Sequence, residues 1–106
     1  MNRTEYNQIV DDVMFLIEET IEDSGVDIDC ENSDGVLTLT VESNASQIIL
    51  SRQAAASEIW LADRSGGFHF LLRKGRWCDT KTGETLAGSL QRAILSQAGE
   101  AVQFSL

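Results

Sequence analysis

The stretch IEETIEDSGVDIDCE, residues 17–31, decides the fold because its apolar residues change their spacing halfway along. Up to Ile21 the apolar residues recur every three or four positions, which is the spacing of an α-helix. From Val26 onward they alternate strictly with acidic residues, which is the spacing of a β-strand. The sequence therefore predicts a helix that ends near Ser24 and leads directly into a strand.

Towards the N-terminus, the same helical spacing extends back to about Thr4 and predicts a helix over residues 4–23, capped by Thr4 or Asn2. Its predicted core face is apolar: Tyr6, Ile9, Val10, Val13, Met14, Leu16, Ile17 and Ile21. Acidic residues occupy the opposite side of the helical wheel. Phe15 is the one apolar residue of this helix that falls among the carboxylates, where no core should reach it.

Towards the C-terminus, short alternating runs separated by turn residues predict strands that pair antiparallel. The predicted strands are residues 26–31, 36–42, 47–52, 58–63, 68–73 and 76–79, with turns that include Asn32–Gly35 and Ser65–Gly67. A second amphipathic helix is expected from Gly83 or Glu84 to Gln97, with Gly99 as its stop. The tail after Glu100 alternates weakly and is expected to pack between these elements.

These elements predict one α+β domain over residues 1–106, a two-layer α-β sandwich with both helices on one face of a five- to six-stranded antiparallel sheet. The other face of the sheet is left to water. The longest apolar runs are far too short for a membrane span, no signal peptide is visible, and Cys30 and Cys78 are expected to be buried reduced thiols. We therefore expect a cytoplasmic protein.

The charge of the chain is divided unevenly between its halves. Residues 1–51 contain 12 acidic residues and one base, a net charge of −11, whereas residues 52–106 carry +2. A nucleic acid or an anionic membrane would be repelled by the acidic half, so both are excluded as expected partners. A solubility device would be spread over the surface, so the clustering indicates a site.

Nine carboxylates on the outer side of the first helix and on the first strand form what we call the acidic ridge: Asp11, Asp12, Glu18, Glu19, Glu22, Asp23, Asp27, Asp29 and Glu31. Like charges one helical turn apart destabilise a helix by a few tenths of a kcal/mol per pair, and anions at a helix C-terminus oppose the macrodipole. Sites that break such local rules are often functional. The expected complement is a cation, either a metal or a basic protein surface.

Oxygen is the only ligand type that the acidic ridge offers, since Cys30 alternates to the other face. Oxygen sites suit hard cations such as Ca²⁺, Mg²⁺, Mn²⁺ and Fe³⁺, and tolerate Fe²⁺. An EF-hand does not fit, because Asn32 stands where its loop needs glycine. On an open, convex surface we expect weak, multisite and salt-sensitive binding. A solvated acidic face without a ligand remains the alternative.

The exposed face of the sheet offers a second candidate surface. Ile59 and Leu61 should face the helices, which sends Trp60 outward as a candidate anchor for a partner. His69 also alternates outward, but a single histidine with nothing to position it supports no catalytic triad. The alternative for Trp60 is that neighbouring long side chains cover it. Trp77 receives no role.

The chain resembles the frataxin family across essentially its whole length. The stretch EETIEDSGVDID resembles the acidic first helix of bacterial frataxin homologues, RQAAASEIWLADRSGGFHF resembles their R-Q-x-P-x-x-Q-I-W-L-A block with its G-G-x-H-F, and GETLAGSL matches the start of their second helix. The chain departs from the family pattern at Ser51, Ala55 and Glu58, where asparagine, proline and glutamine are usual.

The resemblance implies an α-β sandwich and a role in iron–sulfur cluster assembly. It implies that the acidic ridge binds Fe²⁺ and Fe³⁺ weakly and, through residues such as Glu18, Glu19, Glu22 and Asp23, docks on a basic patch of the cysteine desulfurase. It further implies that Trp60, with Gln53 as its neighbour, contacts the iron–sulfur scaffold protein. We expect an iron-binding regulator of sulfur transfer rather than an enzyme, a monomer with possible iron-dependent oligomers.

Two alternatives stay open at this stage. One is a ferroxidase that stores oxidised iron in oligomers; this ranks lower, since such a centre usually needs a closed site with histidine and glutamate from facing helices. The other is a purely electrostatic modulator of the desulfurase, whose effect would persist without metal. Phe15, at the centre of the carboxylates, is expected to add an apolar contact to a docked partner.

Overall fold

The computed structural model describes all residues from Met1 to Leu106 and contains two helices and six strands. Helix α1 is Arg3–Ser24 and helix α2 is Leu86–Ala98. The strands are β1 (Ile28–Ser33), β2 (Val36–Val41), β3 (Gln47–Gln53), β4 (Glu58–Asp63), β5 (Gly66–Arg73) and β6 (Arg76–Asp79). A single 3₁₀ turn, Ala54–Ala56, joins β3 to β4.

The six strands form one sheet in the order in which they occur along the chain, and every neighbouring pair is antiparallel. Two of the hairpins turn on two residues with positive φ, Asp34-Gly35 (53° and 78°) and Lys74-Gly75 (50° and 81°). Both central residues of a type I′ turn need this conformation, and glycine adopts it without a Cβ clash. The predicted two-layer α+β sandwich is confirmed, with six strands.

Helix α1 begins at a capping box. The Asn2 side chain accepts a hydrogen bond from the backbone N–H of Glu5 at 2.8 Å, and the Glu5 carboxylate accepts one from the backbone of Asn2. The helix ends at Gly25, whose left-handed φ of 76° lets its N–H donate back to the carbonyl of Glu22. The predicted start and end are therefore confirmed within one residue, with Asn2 as the cap.

The core lies between the sheet and one face of each helix. Helix α1 supplies Tyr6, Val10, Met14, Ile17 and Ile21, all at most 2% exposed, at spacings of three and four residues. Strands β2 to β5 supply Leu37, Leu39, Ile48, Leu50, Ile59, Leu61 and Phe70. Helix α2 closes the layer with Leu86, Leu90, Ala93 and Ile94. Burial of these apolar side chains is the dominant favourable contribution to folding.

The C-terminal tail and Trp77 complete this core. Val102 and Phe104 are buried although they belong to no helix or strand, which confirms that the tail packs between the elements. Trp77 is 4% exposed and meets the ring of Tyr6 edge-on at 6.4 Å between centroids. Trp77 is therefore a core residue. The sequence did not predict this role, because the direction of its side chain was unclear.

Four local predictions need correction. Leu16 is 40% exposed, because it lies at the border of the apolar face that Ile17 and Val13 occupy. Helix α2 begins only at Leu86, since Thr85 caps it by accepting from the N–H of Gly88 at 3.1 Å. Strand β5 starts two residues early, at Gly66, so the turn is Arg64-Ser65. Strand β1 starts two residues late, at Ile28.

The two cysteines are free and half-buried rather than buried. Cys30 lies on β1 and Cys78 on β6, the two opposite edges of the sheet, so they are too far apart for a disulfide. Neither helix is both long and apolar enough to cross a membrane.

Candidate functional site

The outer face of α1 presents its carboxylates to solvent at the end of the helix where the backbone is negative. Glu19, Glu22 and Asp23 are exposed, and the last turn contains no basic residue. Glu18 is half-buried and accepts a hydrogen bond from the side-chain amide of Asn32 at 3.2 Å. The anions therefore oppose the macrodipole without a cation from the helix itself.

Strand β1 brings a second set of carboxylates beside the first. Val26, Ile28 and Cys30 pack against the core, so the alternating Asp27, Asp29 and Glu31 point away from it and are exposed. Strand β1 is an edge strand, because it pairs only with β2. A groove of about 280 Å³ runs between this edge and the end of α1, lined by Glu18, Ile21, Glu22, Ile28, Asp29 and Cys30. The fold thus joins carboxylates of the helix and of the strand in one groove.

The negative charges of this groove contribute to the pKa of the Cys30 thiol. Its pKa is raised to about 11, first because the thiol is partly removed from water and then because the negative charges of Glu18, Asp29 and Glu22 disfavour a thiolate. The thiol is therefore protonated at neutral pH. The sequence predicted Cys30 on the opposite face from the carboxylates, but its side chain lines the groove together with Glu18, Glu22 and Asp29.

One member of the predicted ridge has an internal partner. Arg52 on β3 donates to Asp11 at 2.6 Å and to the side chain of Asn7 at 3.1 Å. Asp11 is therefore ion-paired within the chain, so it is less available to an outside cation than the other ridge carboxylates. The other eight ridge residues form no salt bridge within 4.0 Å, since the two remaining pairs of the chain are Glu58–His69 and Glu84–Arg92.

The sequence contained a signal for Arg52 that was not used. Ile48, Leu50 and Arg52 occupy alternate positions of β3 and so point to the same, helix-facing side of the sheet. A base on a core-facing position needs an acidic or polar partner, because burying an unpaired charge is costly. Asn7 and Asp11 lie one helical turn apart on α1 and supply that partner.

The ridge contains no preformed metal cage. No group of three or more histidine, cysteine, aspartate or glutamate side chains is gathered closely enough to hold a metal ion. Tight Ca²⁺ sites use six to eight oxygen ligands, so an open row of carboxylates suits weak association with hard cations at several positions. The same row suits a basic protein surface, which attracts it through many pairs of opposite charge.

The open face of the sheet carries a second cluster around Trp60. Its side chain is 37% exposed, as expected, and stacks on His69 at 4.2 Å between ring centroids and an interplanar angle of 6°. The indole N–H of Trp60 donates to Glu58 at 2.8 Å, and His69 Nδ1 lies 3.8 Å from the same carboxylate oxygen. Neighbouring side chains thus hold Trp60 in place and leave more than a third of it accessible.

The strand register refines the predicted surroundings of Trp60. Ser51 on β3 and His69 on β5 are its direct cross-strand partners, whereas Gln53 is opposite Glu58. Gln53 therefore shares the face of Trp60 as a diagonal neighbour. Its backbone N–H donates at 2.9 Å to the hydroxyl of Tyr6, which fixes this end of β3 against α1. Glu58, which organises the cluster, was not predicted as a site residue.

Taken together, the fold and these surfaces define a small α-β sandwich with an unpaired acidic face on its first helix and edge strand and an aromatic anchor on its open sheet face. A family model described as the frataxin-like domain matches residues 1–100. The chain belongs to the frataxin-like family.

Individual relatives agree with this assignment. A protein of Vibrio vulnificus named iron-sulfur cluster assembly protein CyaY is 45% identical over 105 residues, which cover 99% of this chain and all of that protein. The frataxin of Psychromonas ingrahamii superimposes with a TM-score of 0.94 at 36% identity over the full length of both chains. A trimeric frataxin of Saccharomyces cerevisiae, described as complexed with ferrous, gives a TM-score of 0.69 at 28% identity over 91% of this chain and 87% of that chain.

Proposed function

We propose that this chain acts in iron–sulfur cluster assembly as an iron-binding adaptor that docks on the cysteine desulfurase–scaffold complex in the cytoplasm. The relatives named for that process support the proposal, since they match the chain over nearly its whole length. The observation that carries it is the set of eight carboxylates on α1 and β1 that no base of the chain neutralises. Such a surface is stable only at a cost, and a cation relieves that cost.

The metal that this chemistry favours is iron held weakly at surface carboxylates. Oxygen donors accept Fe³⁺ and tolerate Fe²⁺, and carboxylates are the charged side chains of the ridge. The yeast relative described as complexed with ferrous supports iron as the metal. Other hard cations should compete in vitro. We propose a regulator rather than an enzyme, because the only histidine lies beside Trp60 on the opposite layer from α1.

The docking partner that this charge pattern favours is a basic patch of the cysteine desulfurase. Complementary charge steers such an encounter and raises its rate, and this contribution weakens as salt rises. Trp60 and Gln53 lie on the open face of the sheet, away from the two helices, and would contact the scaffold protein. One monomer would then touch both components of the complex, with its helix layer and its sheet layer.

The test is to reverse the ridge and measure both activities. We expect Glu18/Glu19/Glu22→Lys to weaken desulfurase binding at least tenfold in a titration, and to lower Fe²⁺ uptake, while the fold is retained by circular dichroism. The single variant Glu19→Lys is measured beside Glu100→Lys as its matched control. Glu100→Lys makes the same change in charge at an exposed residue just beyond α2. Unchanged desulfurase binding and iron uptake in the triple variant would contradict the proposal.

Metal dependence separates the adaptor from a purely electrostatic modulator. Desulfurase activity is measured with and without the chain, first in the presence of a chelator and then with Fe²⁺. If iron binding contributes, the regulatory effect changes on adding Fe²⁺ and this change is lost in the ridge variant. An effect of the same size in both conditions would leave docking intact and remove iron from the mechanism.

A further inference from the structure

Two exposed apolar side chains interrupt the acidic face of α1. Phe15 is 61% exposed and Leu16 is 40% exposed, although both lie in the middle of a 22-residue helix whose other face is buried. Residues three and four positions away are neighbours on a helix surface. For Phe15 all four of these neighbours are carboxylates: Asp11, Asp12, Glu18 and Glu19.

This arrangement is not the usual scatter of surface apolar residues. Leu95 on α2 is nearly as exposed, at 55%, but its neighbours at the same spacing are Gln91, Arg92, Ala98 and Gly99. Single exposed apolar residues such as Leu95 are normal on soluble proteins. Phe15 differs because four carboxylates surround it, and only Asp11 among them forms an ion pair within the chain, with Arg52.

An aromatic centre with a polar rim is the pattern of an energetic hot spot in protein interfaces. Carboxylates cannot be left facing an apolar partner surface, because their desolvation would cost more than the aromatic contact supplies. The partner must therefore offer bases where the chain offers Asp12, Glu18 and Glu19. A metal ion does not satisfy this pattern, since it gains nothing from a phenyl ring that lies beyond its oxygen ligands.

We propose that Phe15, extended by Leu16, is the apolar anchor of the docking surface and inserts into a pocket of a protein partner whose rim is formed by lysine and arginine side chains. This inference rests on the proposed function, because it concerns the same face of α1. It adds that docking is partly apolar, so a change at Phe15 separates docking from iron binding. The carboxylates serve both activities, and Phe15 serves docking alone.

The two contributions differ in their response to salt. Burial of an exposed aromatic side chain is not weakened by ionic strength, whereas the attraction between exposed charges is screened over about 8 Å at physiological salt. Phe15→Ala should therefore lower affinity by a similar factor at low and high salt. The factor lost on neutralising Glu19 should instead shrink as salt rises.

The experiment is a titration of the cognate cysteine desulfurase–scaffold complex with Phe15→Ala and with Leu95→Ala as the matched exposed control. We expect Phe15→Ala to weaken binding about tenfold at both 50 and 300 mM salt, since hot-spot truncations have at least this effect. Leu95→Ala should bind the complex with the affinity of the unaltered chain. Both variants should bind Fe²⁺ with unchanged affinity. Phe15→Leu should retain part of the affinity.

Misfolding would not explain such a result, because Phe15 points away from the core and its truncation should shift the melting temperature by less than about 3 °C. Equal binding by Phe15→Ala and the unaltered chain would overturn the anchor. If Glu18/Glu19/Glu22→Lys still failed to bind in that case, the proposed function would stand without it. A Phe15→Ala variant that lost Fe²⁺ affinity as well would also overturn the inference, because the two activities would then not be separable.

Discussion

Glu22 lies in the last turn of α1 and Glu84 lies two residues before α2, and the fold surrounds these two glutamates differently. Glu84 accepts hydrogen bonds from Arg92 at 2.5 Å and from Ser89 at 2.6 Å, and it stands near a helix N-terminus, where anions are favoured. Glu22 stands at a helix C-terminus beside Glu18 and Glu19, with no salt bridge.

The contrast shows that charge has separate uses in the two regions. At the start of α2, the ion pair and its hydrogen bonds hold the helix in place, so the charge stabilises the fold. At the end of α1, the carboxylates form no salt bridge, and their only side-chain hydrogen bond is the one that Glu18 accepts from Asn32. Three variants test whether this reading of the two regions is right.

The largest effect is expected for Glu22→Lys. The change turns repulsion from Glu18 and Glu19 into attraction and places a cation where the macrodipole is negative. Because each of these contributions is a few tenths to one kcal/mol, the free energy of unfolding should rise by about 1–2 kcal/mol at low salt. Urea denaturation in 20 mM salt measures it.

Its control is Glu22→Gln, which removes the repulsion without adding a cation and should give a smaller gain. Both gains should fall in 0.5 M sodium chloride, where screening already relieves the repulsion. A Glu22→Lys protein no more stable than the unaltered chain at low salt would show that the acidic ridge costs the fold nothing. Glu22 would then not differ from Glu84 by destabilising the fold.

The second effect is expected for Glu84→Gln. The hydrogen bonds from Arg92 and Ser89 lower the pKa of Glu84, so its ionised form is favoured by folding. A carboxylate with a lowered pKa stabilises the fold above the pKa of the unfolded chain, about 4.3, and loses this contribution as the pH falls through the lower folded pKa. Because the pair is partly exposed, the loss at pH 7 should be about 1 kcal/mol or less.

The measurement is the free energy of unfolding of both proteins from pH 7 to pH 2.5. The two curves should converge at the acidic end, where Glu84 is protonated in the folded chain too. Glu100→Gln is the control, since Glu100 is exposed and forms no salt bridge. A difference that stayed constant across this pH range would mean that packing, and not charge, makes Glu84 useful.

Much of the fold and of the candidate site could be predicted from the sequence, and the reasons differ by element. Helix α1 and strand β2 have regular apolar periodicity over at least six residues, so their faces follow from spacing, and Phe15 was placed outward correctly. Strand β4 has four apolar residues in a row, and Trp60 was placed outward correctly because Ile59 and Leu61 on either side of it were assigned to the core. Leu16 was misassigned because it lies at the border of the apolar face, where spacing does not decide burial.

The contacts between distant elements could not be predicted in the same way. Arg52 and Asp11 are 41 residues apart, and their pairing depends on how α1 crosses β3. The groove that joins Glu18 to Asp29 depends on β1 being the edge strand beside α1, which is a property of strand order and not of local pattern. Thr85 was missed as the cap of α2 because Gly83 and Glu84 before it also suit a helix start.

The smallest effect concerns Cys30, which reports the field of the groove. Because burial comes first among the causes of its raised pKa, neutralising Glu18 and Glu22 should lower that pKa from about 11 only partly. Alkylation by iodoacetamide proceeds through the thiolate, so its rate at pH 8.5 should rise about threefold in Glu18→Gln/Glu22→Gln. A Cys78→Ser background leaves Cys30 as the only thiol, and Glu100→Gln controls for the change in net charge. The reaction also probes cation binding. A hard cation in the groove offsets the same carboxylates, so Mg²⁺ should accelerate alkylation of the unaltered groove. The acceleration should be smaller once Glu18 and Glu22 are neutral and only Asp29 remains charged. Equal alkylation rates in all these proteins would mean that the carboxylates do not act together at the groove. The end of α1 would then not differ from the start of α2 in carrying uncompensated negative charge.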